Sequence, residues 1–312
     1  MGRGLVIWFL CLVALLVGFL GAQVNPLVYL VAGVLAPLPV LIIGWRSGQL
    51  AAGALALAGA LVIFSLNPAL ETIWQNLGFL NLLLMGVMLA SLQCRGVTAP
   101  QAIMVTVAAL TVGALLLFLG QAVFMGISPQ DLLAQKSAEV METVRKVLGD
   151  TPGGVSGSLV PGVAPAQVEA LLQRLLPGLL VTNMGLVAWL NVVLSRQLIV
   201  LLRWGAADPP LYHWAAPEWL IFVLLGSGFL LLVPVAGARF FGLNLLMVVA
   251  VLYFCQGVAV VATWFNRLGL PRLLRMIGYP LLFLNPFFFV IITLGLLDLW
   301  LDFRRLHKPK DA

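Results

Sequence analysis

Charged side chains are scarce in this chain of 312 residues: 17 are basic and 11 are acidic, and together they make up 9% of the sequence. A soluble protein carries about a quarter of its residues as charged ones. The apolar types Ala, Val, Ile, Leu, Met, Phe, Trp, Tyr and Cys make up 62%. So few charges cannot cover the surface of a water-soluble globule of this length. The chain must therefore face lipid.

Cysteine and histidine are also few, which argues against several kinds of centre. Cys11, Cys94 and Cys255 are widely spaced and form no CxxC pair, so neither a disulfide framework nor a zinc site is expected. His213 and His307 lie outside the apolar runs, which disfavours a haem held between membrane helices. We therefore predict no metal and no cofactor.

The basic residues do not form a nucleic-acid surface, although the net charge is +6. Such a surface needs Lys and Arg clustered on one face, whereas here they are scattered between apolar segments. Arginines at segment ends fit membrane topology and anionic head groups instead. We predict the lipid bilayer as a partner and no nucleic acid.

Motifs of common enzymes are missing, including HExxH, GxxxxGK[ST] and a nucleotide-binding GxGxxG. The string Gly154-Val-Ser156-Gly157 resembles a serine-protease motif, but it lies in a linker. Because no histidine within an apolar run could serve as its base, we treat the match as chance. We predict that the protein is not an enzyme, and that active transport would need a gradient or a separate ATPase.

Apolar runs close to the length of a membrane crossing, about 20 residues in a helix, dominate the chain. Nine such runs occur, at residues 4–22, 27–44, 50–68, 73–92, 101–125, 175–202, 218–236, 241–265 and 278–302. The second run is the weakest, because Pro26, Pro37 and Pro39 each lack a backbone donor. We predict an all-α polytopic transmembrane bundle of eight or nine spans with one amphipathic extramembrane helix.

That extramembrane helix is predicted from the polar segment that begins at Ser128. Ser128 can cap a helix, and Asp131 suits its positive first turn. Leu133 and Val140 then start an apolar face at helical spacing. The predicted organisation is N-terminal transmembrane helices over 1–125, the amphipathic helix and a Gly/Pro linker over 126–170, C-terminal transmembrane helices over 171–303, and a basic tail over 304–312.

Small residues recur at every fourth position on two early helices. Such spacing lets membrane helices approach closely, and it serves either packing within the bundle or docking to a partner subunit. The residues predicted for these contacts are Ala14, Gly18, Gly48, Ala52, Ala56 and Ala60.

Polar amides within the apolar runs are costly in hydrocarbon and therefore informative. They suit either hydrogen bonds between helices or a neutral polar ligand. The candidate ligand-binding residues are Asn183, Asn191, Ser195, Asn244 and Gln256. We predict that Asn191 and Gln256 line a shared interior cavity.

The last apolar run ends in a charged cluster of Asp298, Asp302, Arg304 and Arg305. Two acids near the end of a span can form a cation or proton site. We favour an interfacial belt, in which the acids pair with Arg305 and Trp300 anchors the helix at the lipid surface.

Several strings together resemble the YybS-like family of bacterial membrane proteins. They are Pro37-Leu-Pro39 with Gly44-Trp-Arg46-Ser-Gly48, Pro217-Glu218-Trp219, Tyr253-Phe-Cys-Gln256-Gly257, and Leu297-Asp298-Leu-Trp-Leu-Asp302-Phe-Arg304-Arg305. Such proteins are distantly similar to the S components of energy-coupling-factor transporters, which bind a vitamin and meet a coupling subunit through small-residue faces. This chain differs from S components in its eight or nine apolar runs, where they have six, and in its 126–170 insertion.

From these features we expect a multi-pass protein of the bacterial inner membrane. The leading hypothesis is that it binds or transports a small, largely uncharged solute, alone or as the membrane component of a multi-subunit transporter. The alternative is an envelope scaffold or regulator that acts through helix contacts with partners.

The arginines also predict the orientation. With a cytoplasmic N-terminus, Arg95 and the arginines from Arg267 to Arg275 face the cytoplasm, and residues 128–165 face outside. A cysteine introduced at position 155 should react with a membrane-impermeant reagent in intact cells. Labelling only after cell lysis would contradict this orientation.

Overall fold

The computed structural model describes residues 2–24, 26–66, 73–148, 165–202, 204, 215–284 and 286–304, and it confirms the all-α prediction. The helices are α1 (Gly2–Val24), α2 (Pro26–Leu35), α3 (Pro37–Ser47), α4 (Gln49–Leu66), α5 (Ile73–Cys94), α6 (Ala99–Met125), α7 (Pro129–Leu148), α8 (Pro165–Leu201), α9 (Leu220–Leu232), α10 (Ala236–Arg267), α11 (Arg272–Leu281) and α12 (Phe287–Leu301).

Each predicted apolar run contains helix, but the helices differ in length, and the runs at 27–44 and 278–302 are each divided between two helices. Within the described part of the chain, six stretches are long and apolar enough to cross a membrane: Gly4–Gly21, Gln49–Leu66, Asn76–Cys94, Ala99–Met125, Ala170–Leu201 and Ala236–Arg267. Three apolar helices are shorter, at Val31–Ser47, Leu220–Leu232 and Phe287–Leu301. The structure thus gives six long candidate spans, and a total of eight or nine stays a prediction.

The helices form two compact units. The N-terminal unit comprises Met1–Leu176 and Asn183–Ala206, and the C-terminal unit comprises Pro177–Thr182 and Ala207–Ala312. Most of α8 therefore groups with the helices before it. The predicted division of the chain at residue 171 stays a prediction. The short stretch after Pro177 joins the C-terminal unit because the Gly178 N–H donates to Asn244 Oδ1 of α10 (2.5 Å).

In the N-terminal unit, α3 packs closely against α4 and α5 through small residues. Gly44 lies so close to Ala90 of α5 that any side chain on it would overlap the alanine methyl group, and a Cβ on Gly86 would lie 2.9 Å from Val40 Cβ. The proline-rich second run is divided at Ala36, where α3 begins with Pro37 at its first turn.

The polar segment forms α7 as predicted, with Ser128 Oγ accepting from the Asp131 N–H (3.1 Å). Its buried face carries Leu132 and Met141, whereas Leu133 and Val140 are half-buried. The buried side is therefore centred about one residue away from the predicted one. The Gly/Pro linker over 149–164 lies outside the described residues.

In the C-terminal unit, α12 returns to the end of α10 from which α11 departs. Arg267, the last residue of α10, donates from Nη1 to Phe303 O (3.1 Å) and from Nη2 to Arg304 O (2.8 Å). The two helices therefore run in the same direction, and both finish at this end.

The segment between them penetrates only part of the way along α10. The rings of Phe283 and Phe288, on either side of its turn, pack against Phe254 with centroids 5.0 and 4.7 Å away. Phe254 lies about 13 residues, or about 20 Å of helix, before Arg267, whereas a bilayer core is about 30 Å thick. The helices α11 and α12 thus form a hairpin whose two ends lie beside the end of α10. We predict from this geometry that the hairpin is re-entrant and that the run at 278–302 does not cross the membrane.

This hairpin predicts on which side of the membrane the tail lies. In a background without Cys11, Cys94 and Cys255, cysteines at positions 268 and 308 should react with an impermeant reagent from the same side. A cysteine at position 235, before α10, should react from the opposite side. Labelling of positions 268 and 308 from opposite sides would show that α12 crosses the membrane.

Candidate functional site

Buried polar side chains meet between α10 and α12. Gln256, Asp298 and Arg304 are only 1%, 5% and 4% exposed. Gln256 Nε2 donates to Asp298 Oδ2 (3.1 Å), and Arg304 donates to the same oxygen from Nε (2.9 Å) and Nη2 (2.6 Å). Gln256 Oε1 accepts from the Ala216 N–H (3.1 Å). We call these three side chains and the Ala216 N–H the polar centre.

The end of α12 explains how Arg304 reaches Asp298. Asp302 has a left-handed backbone conformation (φ 40°), and its N–H donates to Asp298 O. Left-handed residues close helices, and Asp is among the few non-glycine residues that tolerate this conformation. The chain therefore reverses and brings the guanidinium beneath the helix. A cation also suits the negative end of the helix dipole.

The polar centre lies well inside the apolar part of α10. No charged residue occurs between Arg239 and Arg267, and Gln256 stands about 11 residues, or about 16 Å of helix, before Arg267. The helices beside it are short, since α9 has 13 residues and α12 has 15. At about 1.5 Å per residue neither reaches the roughly 30 Å of a bilayer core.

Direct backbone contact between α10 and α12 holds the polar centre together. A Cβ on Gly257 would overlap Ile291 O, and a Cβ on Gly295 would overlap Tyr253 O and lie 2.7 Å from Gly257 N. Only glycine permits this approach. The close packing brings the side chain of Gln256 within hydrogen-bond distance of the α12 carboxylate.

Two buried polar side-chain atoms of α10 and α12 have no hydrogen-bond partner among the described residues. They are Asp298 Oδ1 and the hydroxyl of Tyr253. An unpaired buried polar atom is costly in an apolar medium. Asp298 and Arg304 together carry no net charge, so the polar centre offers hydrogen bonds without a fixed charge. No group of His, Cys, Asp or Glu suited to a metal ion occurs in the described part of the chain.

The other predicted amides contact neighbouring backbone. Asn191 Nδ2 donates to Val34 O of α2 and to Val187 O, both at 2.7 Å, while its Oδ1 is buried without a partner among the described residues. Asn244 donates to Phe240 O (2.7 Å) and accepts from Gly178. These two side chains form hydrogen bonds with helix backbone, which is the alternative to ligand binding that the sequence analysis left open.

Asn183 is exposed on α8, and Ser195 is buried and donates to Val192 O (3.0 Å). Asn191 belongs to the N-terminal unit and Gln256 to the C-terminal unit, and each is hydrogen-bonded within its own unit. The shared cavity stays a prediction.

The small residues predicted for helix contacts differ in environment. Ala52 and Ala56 of α4 are buried, and Ala60 is half-buried. Gly18 faces α2, where a Cβ would lie 3.4 Å from Ala32 Cβ. These four residues serve contacts inside the N-terminal unit.

Gly48 and Ala14 have other surroundings. Gly48 follows α3 with φ 88°, and its N–H donates to Gly44 O, so the turn explains this glycine. Ala14 is exposed on α1. Of the six small residues, Ala14 is the one whose surface is open to lipid or to a partner.

The charged cluster is arranged differently from our expectation. We expected Asp298 to pair with Arg305, but its carboxylate is buried against Arg304. Asp302 is half-buried at the end of α12, and Arg305 lies outside the described residues. Trp300 is exposed, as a lipid anchor would be. Sequence reasoning missed this pair because residues six apart on a continuous helix do not face each other. Asp298 and Arg304 can meet only because α12 ends between them.

The apolar outer surfaces and the six long apolar helices define an all-α, polytopic membrane protein. The family described as "Predicted membrane protein (DUF2232)" matches residues 11–299, and the chain belongs to this family. No curated protein and no solved structure matches the chain. The similarity to YybS-like proteins and to S components stays an interpretation of the motifs.

The glycine contact yields a stability prediction. Gly257→Ala should destabilise the protein by about 1–3 kcal/mol, because its methyl group has to displace α12. Gly226→Ala on α9 is the matched control, since nothing lies within 4 Å of the added Cβ. Thermal unfolding in detergent should show a lower midpoint for the first variant and an unchanged or higher one for the second. Equal midpoints would show that α10 and α12 are not in backbone contact.

Proposed function

We propose that the protein binds a small, largely uncharged solute in its C-terminal unit and lets it cross the bacterial inner membrane. It does so alone or as the membrane component of a multi-subunit transporter. The observation that carries this proposal is the polar centre of Gln256, Asp298 and Arg304, buried at the depth of the apolar part of α10. Ionisable residues at such depth are costly and mark functional sites by default.

The charge of the polar centre supports a neutral solute. Asp298 and Arg304 cancel each other, so an ion would find no net opposite charge there. Asp298 Oδ1 can accept a hydrogen bond, and the Tyr253 hydroxyl can donate or accept one. A polar molecule with a hydroxyl or amide group would supply the donor that Asp298 Oδ1 lacks.

The short helices support passage rather than binding alone. Transporters commonly place their solute sites where membrane helices are interrupted, because the interruption frees backbone groups near the midplane. Here the chain before α9 donates from Ala216 to Gln256, and α12 ends shortly after Asp298. The polar centre therefore lies between the start of one short helix and the end of another. The proposal assigns the chain no catalytic role.

A scaffold role is the second candidate, and specific contacts favour it. Asn191 and Asn244 donate to backbone carbonyls of helices. Ala14 leaves a small exposed surface on α1 that another helix could approach closely. On this interpretation the polar centre only fixes the end of α12.

The solute proposal can be tested on the purified full chain by mass spectrometry of the small molecules that it retains. The double variant Asp298→Asn/Arg304→Gln removes both charges without leaving one unpaired in the interior, which is the more damaging change. We expect it to retain roughly tenfold less of a neutral polar compound than the parent, as expected from losing about 1.4 kcal/mol of binding.

Asp302→Asn is the matched control, since it also removes an acid at the end of α12 but lies outside the polar centre. It should retain the compound. If the double variant unfolds at the parent's temperature and keeps the same small molecules, the solute site is not the polar centre. Loss of a stoichiometric protein partner on Ala14→Leu, with no retained small molecule in the parent, would favour the scaffold.

A further inference from the structure

We propose that a monovalent cation binds in the N-terminal unit, where α2 ends beside Asn191 of α8. The ligands are the side-chain oxygen of Asn191 and the last carbonyl oxygens of α2. This cation site is separate from the polar centre, and it does not depend on the proposed solute.

The two polar atoms of the Asn191 side chain are used unequally. The residue is 0% exposed, and its Nδ2 donates to Val34 O and Val187 O, both at 2.7 Å. Its Oδ1 is buried without a hydrogen-bond partner among the described residues. Because Nδ2 and Oδ1 are bonded to one carbon, Oδ1 lies within about 5 Å of Val34 O. An unpaired buried oxygen is costly, so it needs a donor or a cation at the end of α2.

Two prolines deprive the end of α2 of hydrogen-bond donors. In an α-helix each carbonyl accepts from the N–H four residues later. The residues four positions after Gly33 and Leu35 are Pro37 and Pro39, which have no N–H. Gly33 O accepts instead from the Ala36 N–H at 3.4 Å, which is a long hydrogen bond. The last turn of α2 therefore lacks two of its helical donors.

The same prolines weaken the other side of this helix break. The first N–H groups of a helix attract anions, but α3 begins with Pro37 and has Pro39 at its third residue. Two of the donors that could bind an anion are thus absent, while the acceptors of α2 remain. The break therefore favours a cation over an anion.

The depth of the site also suits a bound cation. Asn191 lies ten residues, or about 15 Å of helix, before Leu201 at the end of α8. That distance is about half of a bilayer core of roughly 30 Å. Interrupted helices in transporters coordinate sodium ions at this depth through their unwound carbonyls.

The surrounding charges favour a monovalent over a divalent ion. Helices α1 to α6 contain no Asp or Glu, and the acid of α8, Glu169, precedes Asn191 by about 33 Å of helix. Divalent ions such as Ca²⁺ prefer carboxylates, whereas neutral carbonyl oxygens bind monovalent cations. Arg196 starts about 140° around α8 from Asn191, on a different face, and its charge further disfavours a divalent ion.

Equilibrium dialysis of the purified full chain against labelled sodium ions tests this proposal, with choline chloride holding the ionic strength constant. Labelled rubidium, which substitutes for potassium, is measured in the same way. We expect saturable binding of one of these ions, at one ion per chain. Asn191→Leu should weaken this binding at least tenfold, because it removes the buried oxygen.

Pro39→Ala is a second variant, and it leaves Asn191 in place. Its new N–H can donate to Leu35 O and occupy that acceptor, so it should also weaken the binding of the ion. Alanine favours helix far more than proline does, so this variant is expected to fold even if Asn191→Leu does not.

Asn244→Leu is the matched control. The Asn244 side chain also donates to helix backbone, but its oxygen already accepts from the Gly178 N–H. This variant should bind the ion as the parent does. The proposal is overturned if neither ion binds saturably to the parent, a result that would leave water as the partner of Asn191 Oδ1. It is also overturned if Asn191→Leu or Pro39→Ala binds as tightly as the parent, or if Asn244→Leu loses as much binding as Asn191→Leu.

Discussion

Backbone groups that leave a helix inside an apolar interior must find partners within the protein, since no water reaches them there. This constraint acts on the C-terminal unit at Ala216, whose N–H precedes α9 and is satisfied by the side-chain oxygen of Gln256. The side-chain amide of Gln256 has both an acceptor oxygen and a donor nitrogen, so the nitrogen also needs a hydrogen-bond partner. Asp298 supplies that acceptor, and the carboxylate in turn requires Arg304.

These hydrogen bonds of Gln256 and Asp298 depend on the packing of α10 against α12. Without glycine at positions 257 and 295 the helices would stand further apart, and Gln256 could not reach Asp298. The ion pair alone is weak evidence for stability, because desolvating two charges costs about as much as their attraction returns. Removing one partner is different: an unpaired buried charge costs about 3–5 kcal/mol. The arrangement therefore constrains the structure more than it stabilises it.

The sequence predicts features that are set locally, but not those that depend on contacts between distant residues. Apolar runs and a cap such as Ser128 are local signals, and both gave helices where they were expected. The shortness of α12, which has 15 residues, is not signalled locally, since the run at 278–302 has the composition of a full span. Its return to Arg267 follows from carbonyl contacts that no spacing in the sequence encodes.

The polar residues divide in the same way. An amide within an apolar run predicts that a hydrogen-bond partner exists, but not which one. Asn191 donates to a carbonyl of α2, whereas Gln256 accepts from a backbone N–H and donates to a carboxylate. The pairing of Asp298 with Arg304 required the left-handed turn at Asp302, and Asp gives only a weak signal for that conformation. The sequence analysis pairs the acids with Arg305 because it assumes that the helix continues past Asp302.

The proposed solute site and the contacts that hold the hairpin meet at the end of α12. Asp298 Oδ2 already accepts three hydrogen bonds, two from Arg304 and one from Gln256, while Oδ1 accepts none from the described residues. A solute that donates to Oδ1 would compete for the charge that holds Arg304, since both act on one carboxylate. Arg304 is also joined through its carbonyl to Arg267, the last residue of α10. Under the proposed function, solute binding and the attachment of the hairpin to α10 would therefore be energetically coupled, and by linkage each would change the other by the same factor.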